Sequence, residues 1–229
     1  MTARISSWFV FVVAVLATTP ALAATSAIKL SSGWNAVARP RLGLGWVLGE
    51  ALESDLVVHG QKQGDEGEAL GTGVALSYAQ GFLPYVGIVA ISRYGTQPTD
   101  WSDKRGEHRT RLDLAFGPEF TLSGTTYHAQ FDFRLAVPVG PTWAWIHRND
   151  LLGVSDRYST GKGLVLNVIA GFDVFWQHQG VFTELGYVRQ FSKFTHHATL
   201  DADPTTRVKD YYRYDQQSVV MVLGYAYRF

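Results

Sequence analysis

Cysteine is absent from the 229 residues. No disulfide framework or thiolate chemistry is available, and a lipid anchor on an N-terminal cysteine is excluded. Charge is sparse. Asp, Glu, Lys and Arg make up 17% of the chain, against about 25% in an ordinary soluble domain. Neither sign is in excess, with 20 basic residues against 20 acidic ones, so the electrostatic footprint of a nucleic-acid binder is missing. Beyond residue 24 no apolar run approaches the roughly 18 residues of a membrane helix. No Gly-rich phosphate loop, GxSxG or HExxH occurs. What is plentiful is apolar and aromatic: 46% hydrophobic residues, 14% Phe, Trp and Tyr, and 23 glycines. Disorder does not fit that composition.

The N-terminus reads Met1-Thr2-Ala3-Arg4, then an apolar run from Ile5 to Leu16, then Thr-Thr-Pro-Ala-Leu-Ala. One positive charge, a short hydrophobic stretch and an Ala-Leu-Ala end predict a secretory signal peptide over residues 1–23. The apolar core is about a dozen residues, too short for a helix that needs roughly 20 to span a bilayer. Residues 24–229 are then an exported chain without a helical span. Only a closed sheet satisfies every backbone group inside a membrane under those conditions.

Period-2 alternation supplies the sheet. Leu112, Leu114, Phe116, Pro118, Phe120 and Leu122 alternate with Arg111, Asp113, Ala115, Gly117, Glu119 and Thr121. The pattern resumes with Tyr127, Ala129, Phe131, Phe133, Leu135, Val137 and Val139 against His128, Gln130, Asp132, Arg134 and Ala136. It recurs from Leu164 to Trp176, with Asn167, Gly171 and Asp173 on the polar face, and over Thr72 to Ala79. These runs last about ten residues or more, while strands of soluble sandwiches average nearer five or six. The polar face carries small residues and charges of both signs, as a narrow interior would. Short polar turns are expected at 80–83, 123–126 and 177–180, and longer loops at 96–108, 148–161 and 198–213. Short turns on one rim and long loops on the other is the outer-membrane arrangement.

The final strand alternates Val219, Met221, Leu223, Tyr225, Tyr227 and Phe229 to the terminus. Here the chain resembles the small outer-membrane β-barrel family typified by OmpX and the transmembrane domain of OmpA. The resemblance implies an antiparallel up-and-down barrel with periplasmic turns. It also implies a bacterial outer-membrane location, and recognition of Tyr225, Tyr227 and Phe229 by the barrel-assembly machinery. Counting strands back from Phe229, with 40–60 read as a hairpin turning at Gly49-Glu50-Ala51 and an added strand at Ile28, Leu30 and Trp34, gives ten. Without them the count is eight, the family's commonest number. The hairpin avoids placing Glu50 on the lipid face, at a cost of about 1–3 kcal/mol. Trp34, Tyr94, Trp143 and Trp145 fall near one rim and Tyr78, Trp176, Tyr225, Tyr227 and Phe229 near the other, as two interfacial girdles would.

Side chains largely fill a barrel of this size. Inward positions include Arg111, Asp113, Glu119, Gln130, Asp132, Arg134, Asn167, Asp173, Glu184 and Gln190. Across the 177–180 turn, Asp173 is expected about opposite Glu184, and two facing carboxylates need a cation between them. Arg134 or Arg228 can supply it, since a guanidinium bridges carboxylates well. The leading expectation is a structural salt-bridge plug in a non-enzymatic protein serving envelope integrity or surface interaction. A narrow passive channel is the alternative, and a rim hydrolase the third. Outer-membrane lipid deacylases carry a His-x-Ser pair, and none of the seven histidines is followed by Ser two residues later. The stretch His196-His197 with Asp201 and Asp203 has no recognised metal-ligand spacing and reads as a polar loop, as does His108. Arg93, Lys104, Arg105, Arg109, Arg111, Arg148 and Arg157 are expected at or near the outer rim, where lipopolysaccharide phosphates lie. Outer-membrane lipid is the expected partner, with no cofactor and no metal.

Overall fold

A computed structural model describes residues 29–30, 40–58, 61–65, 71–83, 85–99, 107–126, 128–148, 154–200 and 203–229. The expected signal peptide, Ile28, Trp34, Lys104, Arg105, Tyr127 and Asp201 lie outside them. The chain is all strand: β1 Lys29–Leu30, β2 Arg41–Val58, β3 Gln61–Asp65, β4 Gly71–Leu83, β5 Val86–Thr99, β6 Glu107–Thr125, β7 Gln130–Ala136, β8 Val139–Arg148, β9 Val154–Trp176, β10 Gln179–Leu200 and β11 Asp203–Arg228. Every pairing is antiparallel. The order β6-β5-β4-β2-β11-β10-β9 closes through β7 and β8, both of which pair with β6 and β9. The sheet closes into a ring, the closure that satisfies backbone groups of a sheet in lipid.

β7 and β8 occupy one place in that ring. Phe120↔Leu135 and Phe116↔Val139 lie on the same register against β6, as do Ala136↔Ile169 and Val139↔Leu166 against β9. Pro138 lacks an N–H and interrupts the ladder. The chain on either side stays tied by Val137 N–H to the Pro118 carbonyl, 3.1 Å, and Asn167 N–H to the Pro138 carbonyl, 2.9 Å.

Alternation places the two faces as the side chains demand. Leu76, Phe116, Leu135, Val168, Leu185 and Leu223 point out and are exposed, while Ala75, Ala115, Ala136, Val165, Val188 and Val222 point in and are buried. So continuous an exposed apolar surface is incompatible with water and calls for lipid around it.

Four expectations need correction. First, no hairpin turns at Gly49-Glu50-Ala51: β2 is one strand, paired to β11 from Arg41 to Val58 with a register shift between Gln217 and Ser218. Its other edge pairs with β4 and then β3, so breaking it would forfeit ladder bonds on both sides. Among the described residues β1 adds two, Lys29 and Leu30, against Thr125 and Gly124 of β6, and Ile28 and Trp34 of the expected additional strand lie outside them.

Second, strand runs into the regions 96–108, 148–161 and 198–213, covering 96–99, 107–108, 148, 154–161, 198–200 and 203–213, with the remainder outside the described residues. β9, β10 and β11 are 23, 22 and 26 residues long, against about 9–11 for a membrane crossing. Beyond the apolar belt nothing selects for alternation, yet backbone ladder bonds still form. His108 lies in β6 opposite Pro98 and His147, and His196-His197 lies in β10 opposite Asp210 and Lys209.

Third, the turns are shorter and shifted. They centre on Tyr85, on 126–129 and on Gln177-His178, with Tyr85 (φ 71°) and Gln177 (φ 62°) in the left-handed region. Fourth, because Trp176 pairs directly with Gln179, Asp173 stands opposite Phe182, and Glu184 opposite Gly171. The expected pairing is off by two residues, which preserves the face.

Candidate functional site in the barrel lumen

Near the turn end the lumen is crossed by an ion-pair cluster. In one row across three strands lie Arg134 of β7, Gly171 of β9 and Glu184 of β10. In the next row Asp132 stands directly opposite Asp173, and Arg41 opposite Arg228. Facing like charges repel, so each reaches across the lumen for the opposite sign.

Arg134 is the hub. Its Nη2 donates to Asp173 Oδ1 at 2.7 Å and its Nε to the same oxygen at 3.0 Å, while Nη1 donates to Glu184 Oε1 at 3.0 Å and Glu119 Oε2 at 3.4 Å. Arg41 donates to Asp173 Oδ2 at 2.5 Å and Glu119 Oε2 at 3.2 Å. Arg228 pairs with Asp132 and stacks 4.0 Å over the Phe175 ring. Arg134 is only 3% exposed. Buried charges of this kind need partners of opposite sign, and the planar guanidinium fork of Arg134 meets three carboxylates at once.

Gly171 makes the hub possible. A Cβ there would stand 2.8 Å from Arg134 Nη2 and 2.9 Å from its Cζ, so the guanidinium lies flat over a residue with no side chain. We expect Gly171→Ala to push Arg134 off its carboxylates and destabilise the barrel by about 1–3 kcal/mol. Urea unfolding of the refolded chain, followed by tryptophan fluorescence, measures this. Gly186→Ala, where the nearest atom would be at 3.6 Å, is the matched control and should cost little. Equal midpoints for the two variants would refute the packing argument.

Farther from the turns a second polar group forms. From Glu119 to Asp113 on β6 is about 20 Å at roughly 3.3 Å per residue. Arg111 Nε lies 3.0 Å from Asp113 Oδ2, and the Thr142 hydroxyl donates to Asp113 Oδ1 at 2.6 Å. Arg93 Nη1 donates to Asn167 Oδ1 at 2.6 Å. Arg109 donates to Gln216 Oε1 at 2.8 Å and also to Gln190, and lies 4.3 Å over the Tyr214 ring. Arg93 and Arg109 were expected at the outer rim. Both instead sit inside the lumen, buried, because their positions share the inward parity of Ile91 and Asp113.

The inward residues read from alternation, Arg111, Asp113, Glu119, Asp132, Arg134, Asp173 and Glu184, therefore occupy two groups. Glu119, Asp173 and Glu184 converge on Arg134, Asp132 goes to Arg228, and Arg111 with Asp113 stands apart. Arg41, Arg93 and Arg109 complete the groups and were missed. Inward parity on β2, β5 and β6 was the signal that could have found them. Tyr225, Tyr227 and Phe229 project outward and are exposed. No group of three or more potential metal ligands occurs among the described residues.

A closed antiparallel ring with an apolar outer belt and a charged interior defines a membrane β-barrel. Its fold is that of the small outer-membrane β-barrel proteins. OprG of Pseudomonas aeruginosa matches with a TM-score of 0.58 at 16% identity, over 84% of this chain and 96% of that one. Ail, the attachment invasion locus protein of Yersinia pestis, matches with a TM-score of 0.38 at 13% identity, over 84% and 99%. The same Yersinia protein in complex with the heparin analogue sucrose octasulfate gives 0.40 at 14%, over 83% and 98%. No family model and no curated protein matches the sequence. At these identities the OprG likeness carries the fold alone.

Proposed function

We propose that the chain is a bacterial outer-membrane barrel of eight staves, counting β7 and β8 as one, with a closed lumen and a role in envelope integrity or surface contact. The observation that carries this reading is the ion-pair cluster, in which Arg134 engages carboxylates on the neighbouring strands β6, β9 and β10 while Arg41 of β2 reaches across the lumen to Glu119 of β6 and Asp173 of β9. In this reading residues 1–23 direct export and the short turns face the periplasm. The strand ending in Tyr225, Tyr227 and Phe229 is the assembly signal. β9, β10 and β11 extend past the outer leaflet, and anionic lipopolysaccharide is the partner proposed there.

Catalysis is not proposed. Each carboxylate of the hub is held by a guanidinium, which leaves none poised as an acid or base beside a substrate cleft. A passive channel would need a water path past Arg134. Conductance of the refolded chain in a planar bilayer tests the choice. Silence is expected, and steady ohmic conductance would overturn the plug.

A further inference from the structure

The outer half of the lumen holds a cavity of about 60 Å³ lined by Arg93, Arg109 and Arg111, with Thr72, Thr96 and Ser218 among its other walls. The charge around it is unevenly answered. Arg93 and Arg111 are cross-strand neighbours on β5 and β6, in register with Asp113 and Gly95 respectively. Among the described residues Asp113 lies against Arg111 Nε at 3.0 Å and accepts the Thr142 hydroxyl, and the charge of Glu184, itself ion-paired to Arg134, also acts on Arg93. The remaining acceptors are neutral amide oxygens. Asn167 takes Arg93 Nη1 at 2.6 Å, and the single Gln190 carbonyl takes Arg111 Nη1 at 3.2 Å together with a donor from Arg109. Arg93 is 4% exposed, and its Nε and Nη2 have no hydrogen-bond partner. A buried guanidinium with two idle donors stands against the rule that buried polar groups are satisfied. In the deep hub Arg228 also keeps two unanswered donors, but it is ion-paired to Asp132, whereas Arg93 makes no direct ion pair and lines a cavity.

We infer that this cavity is a binding site for a compact oxyanion of the phosphate or sulfate class, held by Arg93 and Arg111 with the Ser218 hydroxyl in its shell. A tetrahedral oxyanion supplies what the protein lacks here: negative charge, and oxygens spaced to accept paired N–H donors from a guanidinium fork. The volume accommodates an ion of a few heavy atoms. The inference is independent of the envelope role proposed above, because it requires only the closed ring.

The test is thermal unfolding of the refolded full chain in detergent micelles against increasing inorganic phosphate, with sodium chloride at matched ionic strength as the reference. A saturable rise in unfolding temperature with phosphate, reproduced by sulfate and absent with chloride, is expected. Arg93→Met should weaken the apparent phosphate affinity by about tenfold or more, the effect of removing a charge-assisted donor. Arg111→Gln, at a less buried position, should weaken it as well, and decides the matter alone if Arg93→Met does not refold. A response no greater than that to chloride overturns the inference. So does an affinity unchanged in every variant that refolds.

Discussion

Arg134→Ala is expected to cost the refolded barrel about 3–5 kcal/mol, the range for removing one partner of a buried ion pair. The hub then keeps Arg41 and Arg228 as cations against Glu119, Asp132, Asp173 and Glu184. Glu184 suffers most, since Arg134 is its ion-pair partner, whereas Asp173 and Glu119 retain Arg41. The loss should appear as a lower urea midpoint. It should also appear as transient openings in a planar bilayer, because the cluster's central cation is gone and uncompensated carboxylates draw cations and water after them. Adding Glu184→Gln to the Arg134→Ala background should recover part of the stability, since it removes the stranded charge. The double-mutant cycle isolates that coupling. A loss under about 1 kcal/mol, or no recovery in the double variant, would show that the hub is hydrated and that its ion pairs hold nothing shut.

Much of this architecture is legible in the chain because lipid imposes a simple rule. Wherever a strand crosses the apolar belt, every second residue must be apolar, so Leu112 to Leu122 and Leu164 to Trp176 announce both their strands and their inward faces. The rule ends where the belt ends. In 198–213 the residues alternate with no apolar face, and the strands β10 and β11 run on unmarked, held by backbone bonds that any sequence can make.

Register was nearly readable. Taking 177–180 as the turn, rather than Gln177-His178 alone, moved Asp173 by two places and left it on the correct face. The contacts that close the lumen were not readable. Arg41 reaches Asp173 across 132 residues of sequence, and Arg93 reaches Asn167 across 74. Such partners are fixed only once the ring closes and brings opposite walls together. Arg93 and Arg109 went to the rim in the sequence reading because arginine near a loop is ordinarily solvated. Parity alone, extended outward from Asp113, would have placed them inside.

The second large effect concerns the outer face. Phe116 stands mid-way along the outward row of β6, opposite Ala90 of β5 and Val139 of β8, and is 66% exposed. Were this surface bathed in water, Phe116→Arg would be harmless and would even aid solubility. Against the hydrocarbon midplane the same change should cost about 2–4 kcal/mol. Depth provides the control. Phe82 is also exposed but lies beside the turn at Tyr85, where arginine reaches the headgroups and the expected cost is about 0–1 kcal/mol. Folding equilibria of both variants in phospholipid vesicles, with Phe116→Leu as a volume-conserving reference, separate the two environments. A penalty at 116 several times that at 82 is the signature of a bilayer. Equal penalties would mean that Phe116 contacts protein, and that the apolar belt is an interface between copies of the barrel rather than a boundary with lipid.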